Sequence, residues 1–297
     1  MRLTRASQRP AGTIPSLSDE EVDRFARIVR ADSGIRLDKT KKALLVERLV
    51  PRLRSLRLRS FAAYLEHLEQ KDPSERTFMV EAVCTHETQF FREPWQFEFL
   101  LKKTLPELRQ QARRPTGRRR VRALCAGCSS GEEPYSVAMT LLDGLPSVEG
   151  WEHEVVAVDI SRAILGKAAT GVWPAEKTTP IPERYVRKFM LKGTGVHAGH
   201  HAAGPEIRSV VRFRQLNLHA GAYPVGGPFD FVFCRNVLIY FDRASKAGLV
   251  TKFLSLLSPN GLLLLGHAEA LNAAQFGLRM LAPAVYARTS DATETQQ

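Results

Sequence analysis

Two different hydrophobic periodicities divide the chain. The first segment carries only helical spacing. Ser18 followed by Asp19, Glu20 and Glu21 is the pattern of a capping box and predicts a helix running to about Ala31. A second helix is expected from near Thr40, with Leu45, Leu49, Leu53 and Leu56 forming a core-facing stripe that Pro51 interrupts. Phe61 to Leu68 and Pro73 to Val83 predict two more. Residues 16–88 therefore form an expected all-helical domain, preceded by a flexible basic tail over residues 1–15. A connecting segment, 89–120, holds a long helical pattern from Pro94 to Gln111 and ends in the charged turn Arg113 to Arg120. Beyond it short apolar runs alternate with helical patterns. Strands are expected at 121–125, 154–158, 209–214, 229–234 and 261–266, with helices at 132–143, 161–169 and 243–257. That alternation predicts an α/β domain over 121–290 with a mostly parallel, doubly wound sheet. Residues 171–208 break it with Trp173-Pro174, Pro180, Pro182 and a Gly- and His-rich stretch, and read as an inserted hairpin or loop module.

Composition adds bounds. With 44% hydrophobic and 25% charged residues the chain has the makeup of a soluble globular protein. No apolar run approaches the roughly 20 residues of a membrane span, so no membrane insertion is expected and a cytoplasmic location is the default. Four cysteines are too few and too irregular for a disulfide scaffold. Cys125 and Cys128 form a C-x-x-C, but no second pair completes a zinc site, so they read as small packing residues and no metal is expected. The formal net charge of +12 is uneven: between Ile35 and Ser60 nine Lys or Arg residues face only Asp38 and Glu47.

The most informative stretch is Cys125 to Tyr135, which follows an apolar strand pattern and opens a helix. Its Gly and Ser residues let the backbone approach a ligand at the carboxyl end of a strand. Glu132 and Glu133 in the first helical turn would repel a pyrophosphate and suit a cationic cofactor such as S-adenosylmethionine. Asp159, ending the next strand, sits where an acid accepts ribose hydroxyls, or else it caps the helix that starts at Ser161 or Arg162. Arg235 and Asn236 follow the strand Phe229 to Cys234 directly, at the end where such folds bind ligands. Tyr240 reads equally well as core.

Thr85 to Glu93, Cys125 to Tyr135, Val158 to Ile160, Phe229 to Phe241 and Ser258 to Glu269 together resemble the chemotaxis receptor glutamate methyltransferases, the CheR family. The resemblance spans about residues 18–288 and includes the basic helical segment. It implies a Rossmann-like class I methyltransferase domain with a small inserted β subdomain and an all-helical N-terminal domain. It also implies methyl transfer from S-adenosylmethionine, leaving S-adenosylhomocysteine, to glutamates of methyl-accepting chemotaxis receptors. By the same resemblance Thr88 and Arg92 contact the cofactor, Glu132 binds near its methionine end and Asp159 holds the ribose. Asn217 and Leu218 frame the adenine, Arg235 and Asn236 close the pocket, and Tyr240 lies beside the transferring methyl. His86 stands where the family often has asparagine; neutral imidazole still makes one hydrogen bond, whereas an imidazolium near a sulfonium would be unfavourable.

Arg92 and Tyr240 are the expected catalytic residues, orienting the acceptor carboxylate. Arg48, Arg52 and Arg59, on one helical line with Lys41, are expected to dock acidic receptor helices. Two other classes compete. The positive charge suits a nucleic-acid methyltransferase, but the chain has Arg235-Asn236-Val237-Leu238 where amino-methylating enzymes commonly carry an Asn/Asp-Pro-Pro-aromatic block, so nucleic acid is not the expected partner. A non-catalytic scaffold that binds the cofactor or a receptor is the other.

Overall fold

The computed structural model describes residues 16–70, 73–115 and 117–289, so the expected tail at 1–15 lies outside the described residues. The chain divides into two units at Thr85/His86, three residues before the boundary expected from the sequence.

The first unit is four helices: α1 (Asp19–Ser33), α2 (Lys42–Ser55), α3 (Phe61–Glu69) and α4 (Pro73–Val83). Ser18 Oγ accepts from the Glu21 amide while Glu21 Oε2 accepts from the Ser18 amide, so both halves of the capping box form and α1 starts where the sequence places it. Leu45, Leu49 and Leu53 are fully buried on α2 with Phe25, Phe61 and Leu65. Pro51 is tolerated inside α2, which ends at Ser55. The single basic line expected from the sequence therefore does not exist, because Lys41 belongs to a preceding 3₁₀ turn and Arg59 lies past the helix end.

The second unit opens with α5 (Pro94–Phe99), which continues through a π-type turn (Leu100–Thr104) into α6 (Leu105–Gln111). There follow β1 (Arg120–Ala126), α7 (Glu132–Gly144), β2 (Glu152–Asp159) and α8 (Arg162–Thr170). The insertion comes next: β3 (Val172–Pro174), α9 (Glu183–Phe189), β4 (Met190–Lys192), β5 (His200–Ala203) and α10 (Pro205–Val210). The chain then returns through β6 (Val211–Gln215), β7 (Phe229–Cys234), α11 (Arg243–Leu256), β8 (Leu257–Leu265), β9 (Leu278–Ala282) and β10 (Val285–Arg288). The expected module is thus a three-stranded antiparallel sheet, ordered β3-β5-β4.

The main sheet has the order β6-β2-β1-β7-β8-β10-β9, with the first five strands parallel and β10 antiparallel to both neighbours. β9 and β10 were not anticipated, since they are short and lack clean alternation. The chain winds outward from β1 through β2 to β6, then crosses back to β7 on the other side of β1. The gap between the carboxyl ends of β1 and β7 is therefore the topological switch point, where such sheets bind ligands. Strands β1 and β7 are buried over nearly their whole length, as a sheet covered on both faces requires.

Candidate active site

Loops after four strands, β1, β2, β7 and β8, meet around that switch point. After β1 the chain turns sharply, and the amides of Gly127 and Cys128 both donate to the Val158 carbonyl, 2.8 and 2.9 Å away on β2. Gly127 has φ +76°, and a Cβ there would lie 2.4 Å from Val237 Cγ2, so glycine alone lets the β1 turn and the β7 turn close on each other. Both Asp159 oxygens are taken by backbone amides, Ser129 at 2.9 Å and Ser161 at 3.0 Å. The helix cap weighed for Asp159 is made instead by Ser161, whose Oγ accepts from the Ile164 amide. Asp159 thus stitches the β1 turn to the end of β2.

Four non-glycine residues here have left-handed backbone: Phe91, Glu93, Ser129 and Asn236. Such conformations persist only where surrounding contacts over-determine them, and those contacts are visible. The Phe91 amide donates to Ser136 Oγ on α7, and Ser129 Oγ donates to the His86 carbonyl. Glu93 Oε1 accepts from the His267 amide. Glu269, which the sequence reading did not place in the site, accepts from the amides of Asn236 (2.7 Å), Gly266 (2.8 Å) and Ile239 (3.1 Å). It fixes the turn carrying Asn236 and the 3₁₀ turn Leu238–Tyr240. A Cβ on Gly266 would fall 2.7 Å from Glu269 Oε2, so that grip needs glycine.

A buried charge cluster fills the floor. The Arg235 side chain is 1% exposed; it lies 3.5 Å from Glu133 Oε2 and 3.9 Å from Glu93 Oε2, and donates to the Arg92 carbonyl. Burial pushes the Glu133 carboxyl up to about 7, although Arg235 favours its ionised form. Burial also raises Glu132, against Ser130 Oγ, which donates to it at 2.7 Å. Glu93 and Glu269 were missed as site residues, and Glu133 was read only as one of an acidic pair beside the cofactor, because nothing in their spacing announces a common buried cluster. Cys125 and Cys128 are free and buried, and burial pushes both thiols well up, so they pack as neutral side chains. Among the described residues no group of three potential ligands could hold a metal.

Residues 86–285 match the family described as CheR methyltransferase, SAM binding domain, and residues 20–84 match its all-alpha domain. The chain belongs to the CheR methyltransferase family. It is 40% identical to chemotaxis protein methyltransferase 2 of Pseudomonas aeruginosa over 255 residues, covering 86% of this chain and 88% of that protein. It is also 38% identical to the chemotaxis protein methyltransferase of Escherichia coli over 277 residues, 93% of each chain. The corresponding protein of Salmonella typhimurium is 37% identical over 279 residues, covering 93% of this chain and 92% of that one. Its second unit is a class I, S-adenosylmethionine-dependent methyltransferase domain.

The CheR site fits that cofactor on its own chemistry. Six buried side-chain atoms among the described residues lack a hydrogen bond: Glu93 Oε2, Gln96 Oε1, Glu132 Oε1, Arg235 Nε and Nη1, and Asn236 Oδ1. Five belong to residues on the loops and helix start just described; the sixth is on Gln96 of α5, whose Nε2 donates to the Leu265 carbonyl at the end of β8. Unmet carboxylate and amide acceptors beside guanidinium donors suit a ligand carrying ammonium, hydroxyl and carboxylate groups at once. Thr88 and Arg92 are half-buried on the segment that leads to α5. Asn217 and Leu218 follow β6, which pairs with β2 up to Gln215 opposite Asp159. Asn217 Oδ1 accepts from the His219 amide and Leu218 is buried, so the residues expected to frame an adenine stand at the same edge.

Proposed function

We propose that this chain transfers the methyl group of S-adenosylmethionine to glutamate side chains of methyl-accepting chemotaxis receptors in the cytoplasm, forming glutamyl methyl esters. The cluster of buried polar atoms without a hydrogen bond around the switch point carries the reading, and the names of the relatives support its receptor substrate. No described helix is long and apolar enough to cross a membrane.

When bound, S-adenosylmethionine supplies a methyl group already activated by its sulfonium. Glu132, Asp159, Asn217, Leu218, Asn236, Thr88 and His86 would hold the cofactor, with Arg92 facing its carboxylate end. The nucleophile needs no base, because a glutamate with a reference pKa of about 4.3 is ionised at neutral pH. Positioning is what the protein contributes, and well-oriented reactants reach effective molarities of about 10⁵–10⁸ M. Arg92 and Tyr240 orient the acceptor carboxylate. Tyr240 is half-buried in a turn that Glu269 fixes through the Ile239 amide. Arg235, expected to touch the cofactor, also lies beside Glu93 and Glu133 and donates to the Arg92 carbonyl, so it would hold the Arg92 segment as well.

Docking falls to the exposed cations of the helical unit, Arg48 and Arg59, facing acidic methylation helices. Arg52 is already engaged within its own unit and serves structure.

Radiolabelled methyl transfer to receptor-containing membranes tests the proposal. Label released as methanol by mild alkali means an ester. Stable label on nucleic acid, or no transfer by protein that binds the cofactor, would point to the two competing classes. Arg92→Ala and Tyr240→Phe are expected to lower turnover at saturating cofactor by about tenfold or more.

A further inference from the structure

The insertion is more than an appendage to the sheet. Trp173, on β3, is 4% exposed, and its ring meets two others edge-on: Phe90 at 4.9 Å and Tyr135 at 5.1 Å between centroids. Its indole Nε1 donates to the Ser130 carbonyl at 3.3 Å. Phe90 belongs to the segment carrying Thr88 and Arg92, Tyr135 to the first turns of α7, and Ser130 to the turn after β1. One side chain of the insertion therefore touches both walls of the candidate cofactor site. A second contact repeats the pattern. Tyr185 on α9 stacks on Phe91 at 5.5 Å and donates to Asp143 of α7. A third is electrostatic: Lys177, just past β3, lies 3.9 Å from Oε1 of the buried Glu132, an atom that has no hydrogen bond. Phe90 and Phe91 thus each pack against a ring of the insertion, in a segment with left-handed backbone at Phe91 and Glu93.

We propose that Trp173 is a positioning residue for the cofactor site, holding the Ser129–Gly131 turn and the Thr88–Arg92 segment in the arrangement that S-adenosylmethionine binds. The physical reason is constraint. Ser129 is left-handed at φ +49°, and a strained turn keeps its conformation only while contacts on every side hold it. Asp159 fixes the Ser129 amide from the sheet side, and the indole N–H fixes the adjoining Ser130 carbonyl from the insertion side. Without it the turn loses its hold from the insertion and keeps only Asp159 and the Ser129 Oγ bond to the His86 carbonyl, so more of the site must be ordered at the expense of binding. This inference rests on the cofactor assignment above and is independent of the acceptor.

The test is calorimetric titration of the full chain with S-adenosylhomocysteine, alongside hydrogen exchange of the cofactor-free protein. Trp173→Phe keeps a ring against Phe90 and Tyr135 and removes the N–H with part of the indole, including its interaction with Glu132. It is expected to weaken binding by about three- to tenfold, the scale of one net hydrogen bond. Amides of 86–93 and 128–132 should exchange faster, while those of β1, β7 and α11 keep wild-type protection. Trp173→Leu, which also removes the ring contacts, should weaken binding further. Wild-type affinity in Trp173→Phe, or faster exchange spread evenly through the sheet, would overturn the inference. Arg92→Ala and Asp159→Ala serve as references. Wild-type binding by both would instead overturn the cofactor-site assignment on which it stands.

Discussion

Glu133 sits in a cluster whose charges pull in opposite directions. Burial raises its carboxyl from 4.5 to about 7; Glu269 and Glu93 push the same way, and Arg235 and Arg92 oppose. Between those two values the folded protein holds a proton that the unfolded chain has released. The contribution of this group to stability is therefore full below about pH 4.5 and is lost as pH rises to about 7. Glu133→Gln cannot titrate. From about pH 4.5 to 7.5 its unfolding free energy should gain on the wild type by about 1–3 kcal/mol, measured by denaturant titration at each pH. A parallel pair of pH profiles would show that Glu133 is ionised throughout. Gly127 gives a second residue-level prediction. An added Cβ at φ +76° meets Val237 at 2.4 Å, so Gly127→Ala should lose about 1–3 kcal/mol of stability and weaken cofactor binding, read by thermal unfolding and calorimetry. Neither consequence could be read from spacing, because each depends on which loop lies opposite.

Among elements, α2 shows how one helix can divide its cations between structure and function. Arg52 forks onto Glu75 of α4, whose carboxyl also accepts from the Tyr64 hydroxyl of α3 at 2.6 Å, and the guanidinium lies 4.3 Å over the Phe78 ring. Although burial works against it, Arg52 and Tyr64 hold the Glu75 carboxyl below its ordinary value, and Tyr64 is raised in turn by burial and by Glu75. Three helices are tied through one buried carboxylate. Arg52→Glu would set two carboxylates together and should cost the helical unit about 3 kcal/mol or more. Arg48→Glu, at an exposed position, should change stability by no more than about 0.5 kcal/mol. Hydrogen exchange over residues 19–83 separates the two outcomes. Equal protection in both variants would mean the Arg52 network contributes nothing. A lost receptor interaction in Arg52→Glu is thus no measure of docking, and Arg48→Glu is the informative variant.

For the whole molecule, the +12 charge and the basic stretch between Ile35 and Ser60 bear on encounter with an acidic partner. Exposed charges are screened over about 8 Å at physiological ionic strength. Raising salt from about 0.05 to 0.3 M should lower kcat/KM for receptor methylation several-fold, while cofactor affinity changes less than about twofold. Arg48→Glu combined with Arg59→Glu should reproduce most of that loss at low salt. Rates that ignore both salt and charge reversal would remove docking through this surface.

Sequence patterning was sufficient for most of the architecture. The capping box at Ser18, the leucine stripe of α2 and the strand-turn-helix at Cys125 to Tyr135 are local: each depends on periodicity and backbone preference within a dozen or so residues. The two final strands escaped because pairing partners stabilise short strands that carry no clear pattern of their own. The site divides in the same way. Glu132, Asp159, Arg235 and Asn236 could be singled out because they follow strand ends, whereas Arg92 came only from the resemblance. The roles of Glu93, Glu133 and Glu269 as a buried cluster, of Asp159 as a stitch between turns, of Arg52 as a strut and of Trp173 as a bridge from the insertion were not visible. Those roles arise from contacts between residues distant in the chain, from the 23 positions between Arg52 and Glu75 to the 143 between Arg235 and the Arg92 carbonyl. Local sequence thus determined which elements form and which residues end near the switch point. Only the folded chain decided which charges are buried together, and burial is what sets their protonation, their partners and their work.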